Sequence, residues 1–418
     1  MKQSVRNLLT VGVLLVSFAV YGENDVTILK NINLVDVVHK QIIPKTDLII
    51  KGNRIYQIGQ KEDSVYQNAT RVDMSGKYAI PGLIDAHLHI ANDPKESRAD
   101  RVKVLHYLLA HGITSIRDAA GDARILAELK RAVATGEIQG PDIYYAAFIA
   151  GPAYFEGNDR EKDMLIGLTT PFAPWLQCIK PGDNLDSAMV AAKACGATGV
   201  KIYAGFEKEF LKQVVKKAQQ YGLMVWGHAT LFPAKPSEVA EAGMKVISHA
   251  YMLEWENVKE PLDGNMFKNY EKFYDKIDHQ KLNAESFFKQ VKLHQSIFDP
   301  TLYLCMVNQM EWSANLVKEA HQAGVKICAG TDYISDLNRE LPFLFDELDL
   351  YVEKCGFTPM DAICSATLIA AEALGIDEQK GSLEVGKKAD IVILNSNPLL
   401  DMKQLKNIHS VIKDGKNI

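Results

Sequence analysis

Between about Ile80 and Gly375 the chain repeats one unit, a short apolar strand candidate followed by a helical stretch, and this repetition constrains the fold most. The strand candidates are Leu83–His89, Ile113–Asp118, Ile143–Ile149, Val200–Ala204, Met224–His228, Val246–Ala250, Ile297–Thr301 and Val325–Ala329. Amphipathic stretches separate many of them, as in Arg124–Ala134, Phe210–Tyr221, Ser313–Ala323 and Thr358–Ala373. Parallel strands with helical crossovers, eight in number, predict a closed (β/α)8 TIM barrel. An open doubly wound sheet is the other solution, weakened by the absence of a Gly-rich phosphate loop after the first strand.

The two ends have a different texture. Val26–Leu29, Asp47–Lys51, Arg54–Ile58 and Ala69–Asp73 read as strands, and Lys51-Gly-Asn-Arg54 as a hairpin turn. Ala389–Leu394 and Ser410–Lys413, followed by Asp414-Gly415, match them. Both ends are therefore expected to build one small β-sandwich from residues 23–79 and 382–418, with the barrel over 80–381 inserted between. A length of 418 residues suits a barrel of ~250 residues plus such an accessory domain.

Residues 1–22 read as a signal peptide: Lys2 and Arg6 form a basic head, Leu8–Val20 an apolar run, and Val20-Tyr21-Gly22 a cleavage site. The run is short of the ~20 residues that span a bilayer, so a periplasmic or secreted destination is expected over an uncleaved anchor. Without Lys2 and Arg6, 45 basic residues face 52 acidic ones, and no basic block suggests nucleic acid as a partner. The partner expected is a small-molecule substrate, with a homo-oligomer left open and no membrane span after cleavage. Six cysteines form no CxxC and read as buried free thiols.

The chemistry begins in Ala79-Ile-Pro-Gly-Leu-Ile-Asp-Ala-His-Leu-His-Ile90. Residues two apart on a strand share a face, so His87 and His89 project together with Cα atoms roughly 6.5–7 Å apart. His-x-His alone is a weak sign. Four further residues of ligand or near-ligand type, Lys201, His228, His249 and Asp332, fall at or near the C-terminal ends of later strands, where barrel active sites sit. An inward-facing lysine there is costly unless paired or chemically modified. Two long connections, Pro152 to about Asp186 and Glu254 to about Ser286, are candidate walls over the mouth or plain surface decoration.

Pro81-Gly-Leu-Ile-Asp-Ala-His-Leu-His89, Gly199-Val-Lys-Ile-Tyr203, Gly227-His-Ala229, Ser248-His-Ala250 and Gly330-Thr-Asp332 together resemble the metal-dependent amidohydrolase superfamily. The resemblance is nearest to its imidazolonepropionase-like and Xaa-Pro-dipeptidase-like branch, and covers nearly the whole chain after the leader. It implies a two-metal site. His87 and His89, with Asp332, would hold the more buried ion and His228 and His249 the second, while Lys201, carboxylated to a carbamate, would bridge them. Zinc is the leading candidate, since imidazole and carboxylate suit it. A hydroxide bridging the ions would attack an amide carbonyl, Asp332 would carry the proton to the leaving amine, and His249 and Tyr203 would complete the catalytic set.

The substrate expected is a dipeptide or N-acyl amino acid. A single-metal deaminase or cyclic-amide hydrolase, a lactonase or phosphotriesterase, and a silent binding scaffold are the alternatives. One departure bears on specificity: many relatives carry a histidine before a Glu-Leu pair after strand eight, and here the stretch is Phe345-Asp-Glu-Leu348. Arg117 is read as a partner for a substrate carboxylate or as a structural ion pair beside Asp118.

Overall fold

The computed structural model describes residues 26–59, 66–93, 95–156, 164–165, 167–168, 172–333 and 336–418, so the expected leader lies outside the described residues. Five strands precede the barrel: β1 (Val26–Asp36), β2 (Gln41–Lys51), β3 (Arg54–Ile58), β4 (Thr70–Asp73) and β5 (Tyr78–Pro81). The barrel region supplies β6 (Leu83–Leu88), β7 (Ile113–Asp118), β8 (Asp142–Ala150), β9 (Leu176–Cys178), β10 (Gly199–Ile202), β11 (Met224–His228), β12 (Val246–Ser248) and β13 (Ile297–Asp299). The C-terminal end adds β14 (Ile391–Leu394), β15 (Ile408–Lys413) and β16 (Lys416–Asn417).

The strands from both ends join in one sheet, in the order β16-β15-β14-β5-β1-β2-β3, with β4 on β1. The joint is the antiparallel pair β14·β5, in which Val392 faces Ile80. The segment entering the barrel and the one returning from it therefore lie side by side. Leu34, Leu48, Ile50, Ile55, Ala389, Ile391 and Ile393 form this sheet's own core. β1 runs past Leu29, where its sequence reads as ending, because Asn31 sits at φ 60° in a bulge that shifts the register. The Asn31 backbone N–H donates to Asp47 Oδ1 at 3.0 Å, which occupies a donor the bulge takes out of the ladder.

The second sheet is a parallel ring, β6-β7-β8-β10-β11-β12-β13, with β9 attached to β8. The expected eighth strand, Val325–Ala329, is reduced to one bridge, Phe298 to Ile327. It still closes the ring. Cys328 N donates to Phe298 O at 3.0 Å on one side, and Ala86 N donates to Ala329 O at 2.9 Å on the other. The helix expected over Thr358–Ala373 is two helices, Pro359–Ser365 and Leu368–Leu374. The break has a local cause: Ser365 O and Ala366 O accept from Ala329 N (2.9 Å) and Ile84 N (2.7 Å), so barrel strands draw these carbonyls out of the helical ladder. The barrel floor is filled by Ile84, Ala86, Ala146, Trp226, Val246, Ile297 and Cys328. All six cysteines are described and none is in a disulfide.

A buried charge cluster joins the floor to the sandwich. Lys380 Nζ lies 2.6 Å from Asp390 Oδ2, donates to Ser115 Oγ at 2.9 Å and pairs with Asp142. Lys413 reaches Asp142 at 3.2 Å, and Lys388 reaches Asp414 at 2.9 Å. Burial pushes the Asp142 carboxyl up, but the ammonium groups of Lys380, Lys413 and Lys388 outweigh it and hold the group well below its ordinary 3.8. Removing one partner of such a pair strands the others, so Lys380→Met is expected to cost about 3–5 kcal/mol. A carboxyl held low in the fold contributes stability above its unfolded pKa, lost as the pH falls through the folded value. The Lys380→Met deficit, read from urea unfolding, should therefore be full at pH 7 and shrink well below pH 3.8.

Candidate metal centre

His87 lies in β6 and His89 just beyond it, with ring centroids 5.6 Å apart. Asp332 reaches them from the loop after Ala329. Its Oδ1 lies 2.9 Å from His89 Nε2 and 3.3 Å from His87 Nε2. Gly330 makes this approach possible, since a Cβ there would stand 2.6 Å from His87 Cβ. Thr331 then anchors the turn, its Oγ1 donating to Asp85 Oδ2 at 2.9 Å. Asp332 itself is held at φ 52° and His249 at φ 79°, left-handed backbone of the kind retained at functional sites.

The other expected residues surround this group. Lys201, in β10, is fully buried and its Nζ donates to Ser248 Oγ at 3.0 Å. His249 follows β12. Its ring centroid lies 5.1 Å from that of His87 and 4.6 Å from that of His228, which ends β11. Tyr203, just past β10, packs its ring 4.2 Å from His228 and 4.1 Å from Phe148, so it forms part of the wall beside the imidazoles. All six expected ligand positions are thus drawn to one rim of the barrel. The tightest group is His87, His89 and Asp332, with one ligand atom from each within 4.8 Å of the others.

The donor chemistry fits a divalent cation. Each of three imidazoles has Nδ1 engaged by the protein: His87 with Asp299 Oδ2 at 2.6 Å, His89 with Ala120 O at 3.0 Å, and His249 with Thr301 Oγ1 at 3.1 Å. An Nδ1 so occupied leaves Nε2 as the ligating atom, the arrangement usual behind metal-bound histidine. Burial, then the nearby Lys201 charge, holds His87 and His228 well below the usual imidazole range. Burial, then the charges of His228 and Lys201, does the same to His249. These are neutral, ligand-ready rings. For His89 burial acts downward, but the hydrogen bond and charge of Asp332 prevail and raise it. Burial pushes Asp332 up, yet His87 and His89 prevail and lower it. An ion pair between protonated His89 and ionised Asp332 is thus favoured in the metal-free chain. Burial and then the Arg117 charge bring the Lys201 amine down to about 7, against the pull of Asp299 and Asp332.

Two residues of the site escaped the sequence reading. Asp299, in β13, is fully buried and accepts from His87, Ser248 and Arg117. Ser248, at the end of β12, connects it to Lys201. The signal was available: a carboxylate inside the apolar run Ile297-Phe-Asp-Pro-Thr301 must find a partner. Arg117 pairs with Asp299 at 2.9 Å, not with Asp118 beside it, and its guanidinium lies 4.9 Å from the Trp226 ring. Strand alternation explains the choice, since adjacent residues point to opposite faces. Asp118 instead accepts from Ile90 N at 2.7 Å and Ala120 N at 3.1 Å. In the stretch Phe345-Asp-Glu-Leu348, Glu347 is buried and accepts from Leu302 N at 2.9 Å and Tyr303 N at 2.5 Å, fixing the segment after β13.

The long connections carry aromatic residues to this rim. Tyr154 and Phe155 pack beside Phe148, and Trp175 Nε1 donates to Met164 O at 2.9 Å. In the second connection Trp255 is fully buried against Phe232 and Tyr270, and His279 Nε2 lies 2.8 Å from Glu254 Oε2, tying the loop to its root.

Residues 78–418 match the model of the Amidohydrolase family. Ochratoxinase of Aspergillus niger is 26% identical over 419 residues, covering 88% of this chain and 82% of its own. Adenine deaminase 1 of Latilactobacillus sakei is 24% identical over 390 residues, covering 90% of this chain and 56% of its own. Among solved structures, a Xaa-Pro dipeptidase with methionine bound in its active site superimposes with a TM-score of 0.73 at 21% identity, covering 94% of this chain and 99% of that one. At that identity the superposition establishes the fold alone.

Proposed function

The chain belongs to the amidohydrolase family, and from that premise we propose that it is an exported, binuclear hydrolase cleaving the amide bond of a dipeptide or N-acyl amino acid. That it is a metal-dependent hydrolase of carbon–nitrogen bonds follows from the family; the rest is our reading. The observation that carries it is Lys201, a fully buried amine set among His87, His228, His249 and Asp332. Carboxylated, a lysine at this place would offer an anionic ligand to two cations from a single side chain.

His87, His89 and Asp332 would hold one ion and His228 and His249 the other. Lys201, lowered to about 7, is available as a free amine near neutral pH. Its nitrogen lone pair attacks carbon dioxide, a C–N bond forms, one C=O electron pair moves onto oxygen, and a proton leaves to solvent. The carbamate so formed would give the site an anionic oxygen ligand in place of an amine. Cations held there would supply Lewis acidity and lower the pKa of water toward about 7.

The remaining chemistry belongs to the chain. Asp332, kept ionised by His87 and His89, accepts the proton of the attacking water and returns it to the leaving nitrogen. His249, whose Nδ1 is bonded to Thr301 Oγ1 at 3.1 Å and lies 3.6 Å from Asp332 Oδ2, bounds that carboxylate on its other side. Tyr203 stands where its ring can bound the reacting carbonyl or a substrate carboxylate, beside His228.

A second reading is favoured by one observation: His87, His89 and Asp332 alone draw together within 4.8 Å among the described residues, as a single-ion deaminase would require. A screen of dipeptides and N-acyl amino acids, run beside purines with ammonia release as readout, separates the two. Amide cleavage by protein carrying two ions per chain is the expected result, and purine deamination with one ion would overturn it. Export is tested by sequencing the N-terminus of protein recovered from the periplasm or medium, where cleavage near Gly22 is expected.

A further inference from the structure

We propose that Asp299 is a positioning residue that sets the orientation of both His87 and Lys201, and through them the geometry of the cation site. The inference rests on the metal-dependent reading above. Asp299 Oδ2 receives three donors: His87 Nδ1 at 2.6 Å, Ser248 Oγ at 2.9 Å and Arg117 Nη2 at 2.9 Å. Ser248 Oγ in turn receives Lys201 Nζ at 3.0 Å. One carboxylate oxygen therefore joins β6, β7, β12 and β13 directly, and β10 through a single hydroxyl.

The bond directions follow from the donors. The Arg117 guanidinium can only donate, as can Lys201 in its ammonium form, and Ser248 then accepts from Lys201 and points its own proton at Asp299. Asp299, held as an acceptor by Arg117 and Ser248, then requires the His87 proton on Nδ1. The bare Nε2 is left facing Asp332 Oδ1, 3.3 Å away. A carbamate on Lys201 would keep one N–H, which would remain a donor available to Ser248.

Stability alone gives no reason for the arrangement, because a buried ion pair is often matched or bettered by apolar packing. Nor is the pair saturated: Arg117 Nε and Nη1 and Asp299 Oδ1 lack hydrogen-bond partners. The backbone carrying Asp332 also passes over this carboxylate, since a Cβ on Gly330 would lie 2.7 Å from Asp299 Oδ1.

The test uses the full chain, wild type beside Asp299→Asn and Ser248→Ala. Zinc affinity is read by competition with a chromophoric chelator, carbamate occupancy by NMR in isotope-labelled bicarbonate, and folding by thermal melting. Asp299→Asn is expected to remain folded and to bind zinc about 10–100-fold more weakly. Ser248→Ala should keep wild-type affinity for the first equivalent of zinc while losing carbamate occupancy and affinity for the second. Wild-type zinc affinity in Asp299→Asn overturns the inference. Should that variant unfold, Ser248→Ala decides alone, since it leaves the Arg117–Asp299 pair intact: unchanged carbamate and second-equivalent binding overturn the inference. A wild type that takes up no zinc is a different result, and overturns the metal reading on which the inference stands.

Discussion

Replacing Asp332 by Asn is expected to lower kcat by about 10²–10⁴-fold, the range of a lost general acid–base, while the protein still melts as a folded chain. Asparagine is the informative substitute for two reasons. It matches the carboxylate in size, so the contact at 2.9 Å to His89 has an acceptor oxygen available. It also tolerates the left-handed backbone that Asp332 adopts at φ 52°, which a β-branched residue would not. The turn is further held by Asp332 N donating to His87 O at 2.7 Å, a bond the substitution leaves alone. What an amide cannot do is accept a proton and return it. Steady-state kinetics on a cleaved amide, with zinc content measured on the same sample, separates lost proton transfer from lost metal. A near-normal kcat would remove Asp332 from the role of proton carrier.

If the proposed two-ion site holds, Lys201→Met is expected to reduce the metal content to one ion per chain or fewer and to abolish turnover, because the proposed shared ligand is gone. It should also stabilise the metal-free protein. In the fold Lys201 is brought from 10.5 to about 7 by burial and the Arg117 charge. Below about pH 7 both the folded and the unfolded chain carry this proton, and the fold bears the whole cost of a buried ammonium. Between about 7 and 10.5 the unfolded chain keeps the proton while the folded chain releases it, so wild-type stability rises with pH. Methionine removes both the cost and the slope. Urea unfolding in the presence of a chelator should show the variant ahead at pH 6, with the gap closing toward pH 9. A variant that unfolds at the same urea concentration as wild type at pH 6 would show that Lys201 is not a buried cation in the metal-free chain.

Local pattern and long-range contact divide this molecule between them. The limits of β7 and β11 can be read directly from the sequence, as can the Lys51–Arg54 hairpin, because strand period and turn residues act over a few positions. The strand texture of both chain ends is legible for the same reason and suggests a shared sheet, although the β14·β5 pairing that joins them is long-range. The ligand-type residues are legible as well, since strand ends of a parallel barrel share one face wherever they fall along the chain. Three features are not visible at that range. The eighth strand shrinks to a single bridge because the chain must leave it at once to swing Asp332 over His87. The helix over 358–373 breaks because barrel strands claim two of its carbonyls. Arg117 bypasses its neighbour Asp118 for Asp299, 182 residues away.

By itself, then, the sequence determines the repeating unit, the two-domain arrangement and the kinds of side chain offered at the rim. Only the tertiary structure decides which carboxylate orients His87 and which hydroxyl holds Lys201. Periodicity records which face a residue occupies, whereas a buried donor takes whichever acceptor the closed barrel brings within about 3 Å, and that depends on strands far apart in the chain.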